Sequence, residues 1–132
     1  MILPSSEELE AVLNTARTDD CLLHLDVRRP NLIGEKSSIK AIIDWDNSFI
    51  GNPIMELMRI SETQELQEEA FLLGYNNHTI LDKTDRPIQL IYRLDTAFML
   101  SILFTSFIDD VKKREHYLKR VQTLIAEITK YL

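Results

Sequence analysis

A mainly helical α+β domain is the fold class that this sequence predicts, and three observations predict it. Apolar residues recur at helical spacing near the start of the chain and again through most of its second half. Between those regions, short apolar runs alternate with turn-rich stretches. A length of 132 residues, with 45% apolar and 27% charged, suits a single soluble domain with one core.

The elements follow in order. After Pro4, Ser5 and Glu8 make an S-x-x-E capping box, and Leu9, Val12, Leu13 and Ala16 then share one face, which predicts an amphipathic helix ending near Thr18. Between Cys21 and Asp44 the runs CLLHL, NLI and IKAIID are separated by DVRRP and GEKSS, so a short strand, a loop and a hairpin turning at Gly34 to Ser38 are expected. Pro53 suits a first helical turn, and Met55, Met58, Leu66 and Phe71 extend that helix to Gly74. Asn76 to Pro87 reads as a polar connection. Two long helices complete the chain. One, from about Ile88 to Ile108, is broadly apolar and therefore central; the other, from about Val111 to the end, carries Tyr117, Val121, Leu124, Ile125, Ile128 and Leu132 in one stripe.

Composition excludes several function classes. A net charge of −6 with scattered basic residues disfavours nucleic acid as a partner, and the densest basic cluster, Lys112, Lys113 and Arg114, follows Asp109 and Asp110. Cys21 is the only cysteine, which rules out an intrachain disulfide; in its apolar run it reads as a small buried residue, and a reducing, cytoplasmic setting follows. The opening residues lack a basic segment followed by an apolar one, so no signal peptide is expected. The most apolar run, TAFMLSILFTSFI, is shorter than the roughly 20 residues of a membrane span and reads as a buried helix, with no membrane association.

One constellation points to chemistry. His24, Asp26 and Asn31 stand in the spacing H-x-D-x-x-x-x-N, in which a loop leaving a strand can aim the Asp26 carboxylate at an incoming hydroxyl while Asn31 reaches a metal ion on phosphates. A second metal ligand is needed, and Asp44, at the end of AIID, is returned beside Asn31 by the expected hairpin. Oxygen ligands of this kind suit Mg²⁺, which is usually held by one or two protein groups with phosphate oxygens and water. For Asp26, Asn31 and Asp44 together, turn and cap residues are the alternative reading.

These segments, HLDVRRPN and then IIDWDNSFIGNPIMEL, resemble the catalytic and metal-binding segments of the aminoglycoside phosphotransferase and choline kinase-like superfamily, and FLLGY at Phe71 to Tyr75 is similar to the segment that follows there. The resemblance covers about residues 21 to 75. It implies the C-terminal lobe of a protein-kinase-like fold, mainly helical, with a small β-hairpin carrying the catalytic and metal loops. It also implies Asp26 as catalytic base or hydroxyl-orienting group, Asn31 and Asp44 as magnesium ligands, His24 as a brace of the loop, Arg28 as a charge-stabilising group, and ATP with Mg²⁺ as cofactors. Gly51 and Glu56 match the segment that shapes the lobe below the site.

Two positions depart from the family pattern: Leu25 stands where glycine is usual, and Asn52 where aspartate is common. A larger departure concerns the nucleotide-gripping N-terminal lobe, since the 23 residues before His24 contain no glycine and no lysine. The expectation is therefore ATP- and Mg²⁺-dependent phosphoryl transfer to a small-molecule hydroxyl, completed by a second protomer or a protein partner at the surface the missing lobe would cover. Two alternatives remain open. One is a repurposed lobe doing nucleotide-free acid/base chemistry, such as a rearrangement or cyclisation, on a small metabolite; the other is a non-catalytic binding lobe. Trp45 is expected as a buried wedge behind the metal loop, Arg28 and Arg29 alternatively as a solvated loop pair, and Glu62, Glu65, Glu68 and Glu69 as a solvated helix face. His78 and His116 are expected as exposed polar residues.

Overall fold

The computed structural model describes residues 3–16, 18–63, 68–75 and 78–132. Among them the order is α1 (Ser6–Leu13), β1 (Cys21–Leu23), β2 (Leu32–Glu35), β3 (Ser38–Ile42), β4 (Phe49–Gly51), α2 (Pro53–Thr63), α3 (Glu68–Gly74), α4 (Arg86–Ser106) and α5 (Val111–Ile128), with short 3-10 turns at Arg29–Asn31 and His78–Ile80. Helices with two small antiparallel sheets make this an α+β chain, as expected. By contacts it divides into two compact units: residues 1–17 with 84–132, and residues 18–83.

The first unit is helical. Ser5 caps α1 through the predicted reciprocal pair, its Oγ accepting from the Glu8 N–H (3.2 Å) and its own N–H donating to Glu8 Oε2 (2.8 Å). The helix stops at Leu13 rather than near Thr18, with Asn14 as its C-cap, whose backbone N–H donates to the Glu10 carbonyl (2.9 Å). Leu90, Ile91 and Ala97 of α4 pack with Leu124 and Ile128 of α5, and Leu9, Val12 and Leu13 of α1 close on that cluster. Asp110 caps α5 by accepting from the Lys113 N–H (3.0 Å), and Lys113 Nζ then lies 5.0 Å from the centroid of the Phe104 ring, which stacks on Tyr117. The expected α5 stripe is present except for Leu132, which lies beyond the helix and is exposed. Helix α4 is not apolar-buried all round: Phe98, Met99 and Ile102 are exposed opposite its buried face. Although its apolar run is shorter than a span, the helix containing it has 21 residues. Among the described residues it is the one helix long and apolar enough to cross a membrane, with 44% of its most apolar window buried within the protein.

The second unit carries the small sheets. β2 and β3 form the expected hairpin, turning through Lys36 and Ser37, where Lys36 adopts a positive φ of 56°. Gly34 sits at a register shift in the pair, and a Cβ there would come 3.1 Å from the Ser38 carbonyl oxygen. β1 pairs instead with β4, an antiparallel strand that the sequence pattern does not predict, in the register Cys21 with Gly51 and Leu23 with Phe49. Helix α2 packs against β1, burying Ile54, Leu57, Met58 and Ile60. The single helix expected from Pro53 to Gly74 is described as α2 and α3, with Leu66 and Glu65 outside the described residues. Within the expected polar connection, Ile80 is buried on its 3-10 turn.

Candidate functional site

Two backbone segments of the second unit build the site: residues 24–31, which leave β1, and residues 43–46, which leave β3. Ile43 joins them with both of its backbone groups. Its N–H donates to the Asn31 carbonyl (2.9 Å), continuing the β2–β3 ladder, and its carbonyl accepts from His24 Nε2 (2.9 Å). The other imidazole nitrogen, Nδ1, accepts from the Asp26 N–H (3.2 Å), so the neutral tautomer with hydrogen on Nε2 satisfies both bonds. His24, only 2% exposed, thus ties the loop of Asp26 to the strand end that precedes Asp44. The bracing role that the resemblance implied has a concrete geometry here.

Asp26 is held on both carboxylate oxygens. Arg28 Nε lies 2.9 Å from Oδ1, and the amide nitrogen of Asn31 donates to Oδ2 (2.7 Å) as well as to the Asp26 carbonyl (2.9 Å). Asn31 is buried at 5% exposure, whereas the Arg28 side chain is 45% exposed and its pair with Asp26 is worth at most about 1 kcal/mol. With both amide hydrogens on Asp26, Asn31 Oδ1 is the atom left for a cation. Asp44 follows Ile43 directly, so the hairpin does bring its backbone next to that of Asn31. It adopts a left-handed φ of 66°, a conformation aspartate tolerates better than most residues. Of the sequence-selected residues, Asp26, Arg28 and Asn31 are therefore in direct contact, and Asp44 is their backbone neighbour. Among the described residues, no group of three or more His, Cys, Asp or Glu side chains could hold a metal by itself.

Leu25 explains why glycine suits its position. Its φ is 61°, the left-handed region that costs a leucine about 1–2 kcal/mol. The side chain is nevertheless buried, and the peptide is fixed by α2: the His24 and Leu25 N–H groups donate to the two carboxylate oxygens of Glu56 (2.8 Å each), and Arg59 Nη1 donates to the Leu25 carbonyl (3.0 Å). The sequence resemblance gives Glu56 only a general shaping role and does not point to Arg59. A signal is available, since residues three apart on a helix share a side.

Three expectations are corrected. Trp45 is 44% exposed, not a buried wedge: its indole N–H donates to the Ile42 carbonyl (2.8 Å) and its ring meets His24 edge-on at 4.5 Å, which engages one side and leaves the rest in solvent. Cys21 is exposed, because burial in β1 begins only at Leu23. Glu62 is buried, since it continues the inward row of Ile54 and Met58 at four-residue spacing. Glu69 is exposed, while Glu65 and the side chains of Glu68 and His78 lie outside the described residues. Arg29 and His116 are exposed as expected. The Cys21 thiol is pushed up first by desolvation and then by the Glu56 and Asp20 carboxylates. Tyr75, whose ring stacks on Phe71, is likewise raised, by burial and then by Cys21 and Glu56.

No curated protein and no solved structure gave a match. A family profile described as the phosphotransferase enzyme family matches residues 4–87, well over half of the chain and the stretch that holds every residue of this site. The chain therefore belongs to the phosphotransferase enzyme family.

Proposed function

We propose that this chain takes part in ATP- and Mg²⁺-dependent phosphoryl transfer to a small-molecule hydroxyl. The observation that carries the reading is the 2.7 Å bond from the buried Asn31 amide to Asp26 Oδ2, which fixes a carboxylate beside an amide oxygen left free for a cation. In this reading Asp26 accepts the hydroxyl proton, after the incoming hydroxyl displaces the exposed Arg28 from Oδ1. Arg28, released on its flexible stem, then faces the anionic phosphates. Asn31 and Asp44 would hold Mg²⁺, and two hard oxygen donors fit an ion that usually draws its other ligands from phosphates and water. Bound there, the ion would neutralise charge on the phosphates.

The reading includes a second protomer or a protein partner that completes the nucleotide site, in a cytoplasmic setting. The exposed side chains of Leu22, Ile33, Ile39 and Ile50 on the two small sheets support such a contact. Calorimetric titration with ATP and MgCl₂, with Asp44→Ala as control, tests the core of the reading. Saturable binding that requires magnesium and is lost in the variant supports it, whereas absence of binding at millimolar nucleotide removes nucleotide binding by this chain and its homodimer and leaves only a site completed by a different protein. Light scattering tests the association: a strict monomer at high protein concentration excludes the second protomer.

A further inference from the structure

Helix α1 closes on one half of the α4–α5 hairpin, the half that holds Leu90, Ile91, Ala97, Leu124 and Ile128. The other half runs from Phe98 through the turn to Leu118. It buries Leu100 and Phe104 inward and leaves Phe98, Met99 and Ile102 in solvent on α4, a row set by the three- and four-residue spacing of one helix face. Apolar exposure is greatest at the turn, where Phe107 is 78% exposed and Ile108 and Val111 beside it are also in solvent. The family match ends at residue 87, so membership of the phosphotransferase family does not account for this half of the hairpin.

Charge around the turn is distributed unlike that of the rest of the chain. Residues 98–108 carry no charged side chain, and residues 109–121 carry five basic side chains against three acidic ones. This half of the hairpin is therefore +2 within a chain of −6, which leaves −8 on the remainder. Of the three acids, Asp110 is engaged as the cap of α5, Glu115 stands three and four positions from Lys112 and Lys119, and Asp109 is exposed. The Lys113 ammonium already lies over the Phe104 ring, at the boundary between apolar surface and solvent.

We propose that the α4–α5 turn is a peripheral membrane anchor: Phe107, Ile108 and Val111 enter the outer apolar layer of an anionic phospholipid bilayer, while Lys112, Lys113 and Lys119 meet lipid phosphates at headgroup level. Two features choose this occupant. A side chain that stands out from the end of a helical hairpin needs a groove in a protein partner, whereas a fluid interface admits it without one. The basic residues beside the tip attract an anionic surface, but they oppose one another in a symmetric pairing of two copies through the same tip. The leaflet that faces a cytoplasmic protein is anionic. The expectation of no membrane association rested on the lack of a span, and a surface contact needs none: α4 keeps 44% of its most apolar window buried within the protein. The anchor does not depend on whether the chain transfers phosphate.

Sedimentation of the whole chain with extruded vesicles tests the anchor, comparing pure phosphatidylcholine with phosphatidylcholine that contains phosphatidylserine. A chain of −6 is repelled by an anionic surface unless a local patch overrides that charge, so preference for the anionic vesicles is diagnostic. Binding to them should weaken as salt is raised, because screening shortens the reach of the lysines. Phe107→Ser should weaken it by about tenfold or more, the effect of withdrawing a large apolar side chain from lipid. Lys112→Gln combined with Lys119→Gln should weaken it by about 25-fold, from about fivefold for each lysine near a charged surface. All three side chains are exposed, so the variants should keep the fold, which circular dichroism checks. Leu73→Ser, at an exposed apolar residue of α3, is the control and should bind as the unaltered chain does. Absence of binding to the anionic vesicles overturns the anchor, as does binding that either turn variant leaves unchanged or that Leu73→Ser weakens equally. Self-association that Phe107→Ser abolishes, in a chain that ignores vesicles, also overturns it and assigns the tip to a second copy.

Discussion

The amide of Asn31 donates to Asp26 twice, to Oδ2 at 2.7 Å and to the backbone carbonyl at 2.9 Å, so the two residues of the motif most tied to chemistry are bonded to each other. They stand five positions apart in the chain, and the 3-10 turn at Arg29–Asn31 folds the loop back to close that distance. The bond orders a partly exposed carboxylate by means of a buried partner.

Removing that partner has two distinguishable forms. Asn31→Ala should destabilise the fold by about 1–3 kcal/mol in chemical denaturation, the range for loss of a buried hydrogen-bonding group. Asn31→Asp places a second carboxylate against Asp26. Like charges disfavour ionisation, so the aspartate variant should lose stability mainly above the carboxylate range and recover part of it as pH falls toward about 4. Equal deficits at about pH 5 and about pH 8 would contradict the contact.

Trp45 is the only tryptophan and lies against His24, which makes it a reporter of the site. Magnesium with ATP should shift or quench its emission in a saturable way, and Asp44→Ala should abolish the response. An unchanged spectrum at nucleotide concentrations that bind by calorimetry would place the ligand elsewhere.

Cys21 is exposed, yet desolvation and the Glu56 and Asp20 carboxylates push its thiol up, so less thiolate is present near neutral pH than in a free cysteine. Its reaction with a disulfide reagent near neutral pH should be slower than that of a model thiol and should rise steeply toward alkaline pH. Asp20→Asn, by removing one of the raising charges, should speed it.

The helical unit offers two stability tests of different size. Ser5→Ala removes the cap of α1 and should cost about 1 kcal/mol. Leu124→Ala, at a side chain with no exposure, should cost about 2–5 kcal/mol in urea denaturation. A reversed order would mean that α1 contributes more to this unit than the α4–α5 contact does.

Short-range spacing encodes part of this architecture. The Ser5–Glu8 capping box, the β2–β3 hairpin, the apolar stripe of α5 and the group Asp26, Arg28 and Asn31 each depend on residues a few positions apart, and each was legible. Relations across long separations depend instead on how the chain packs. Glu56 and Arg59 meet Leu25 from far along the chain, and β1 finds its partner in β4 rather than in its nearest neighbour. Exposure belongs to the same class: Cys21 and Trp45 look buried by composition and Glu62 looks solvated, but each outcome depends on which element happens to cover that side chain. The left-handed Leu25 is the clearest case. Local preference disfavours it, and bonds from a distant helix hold it there.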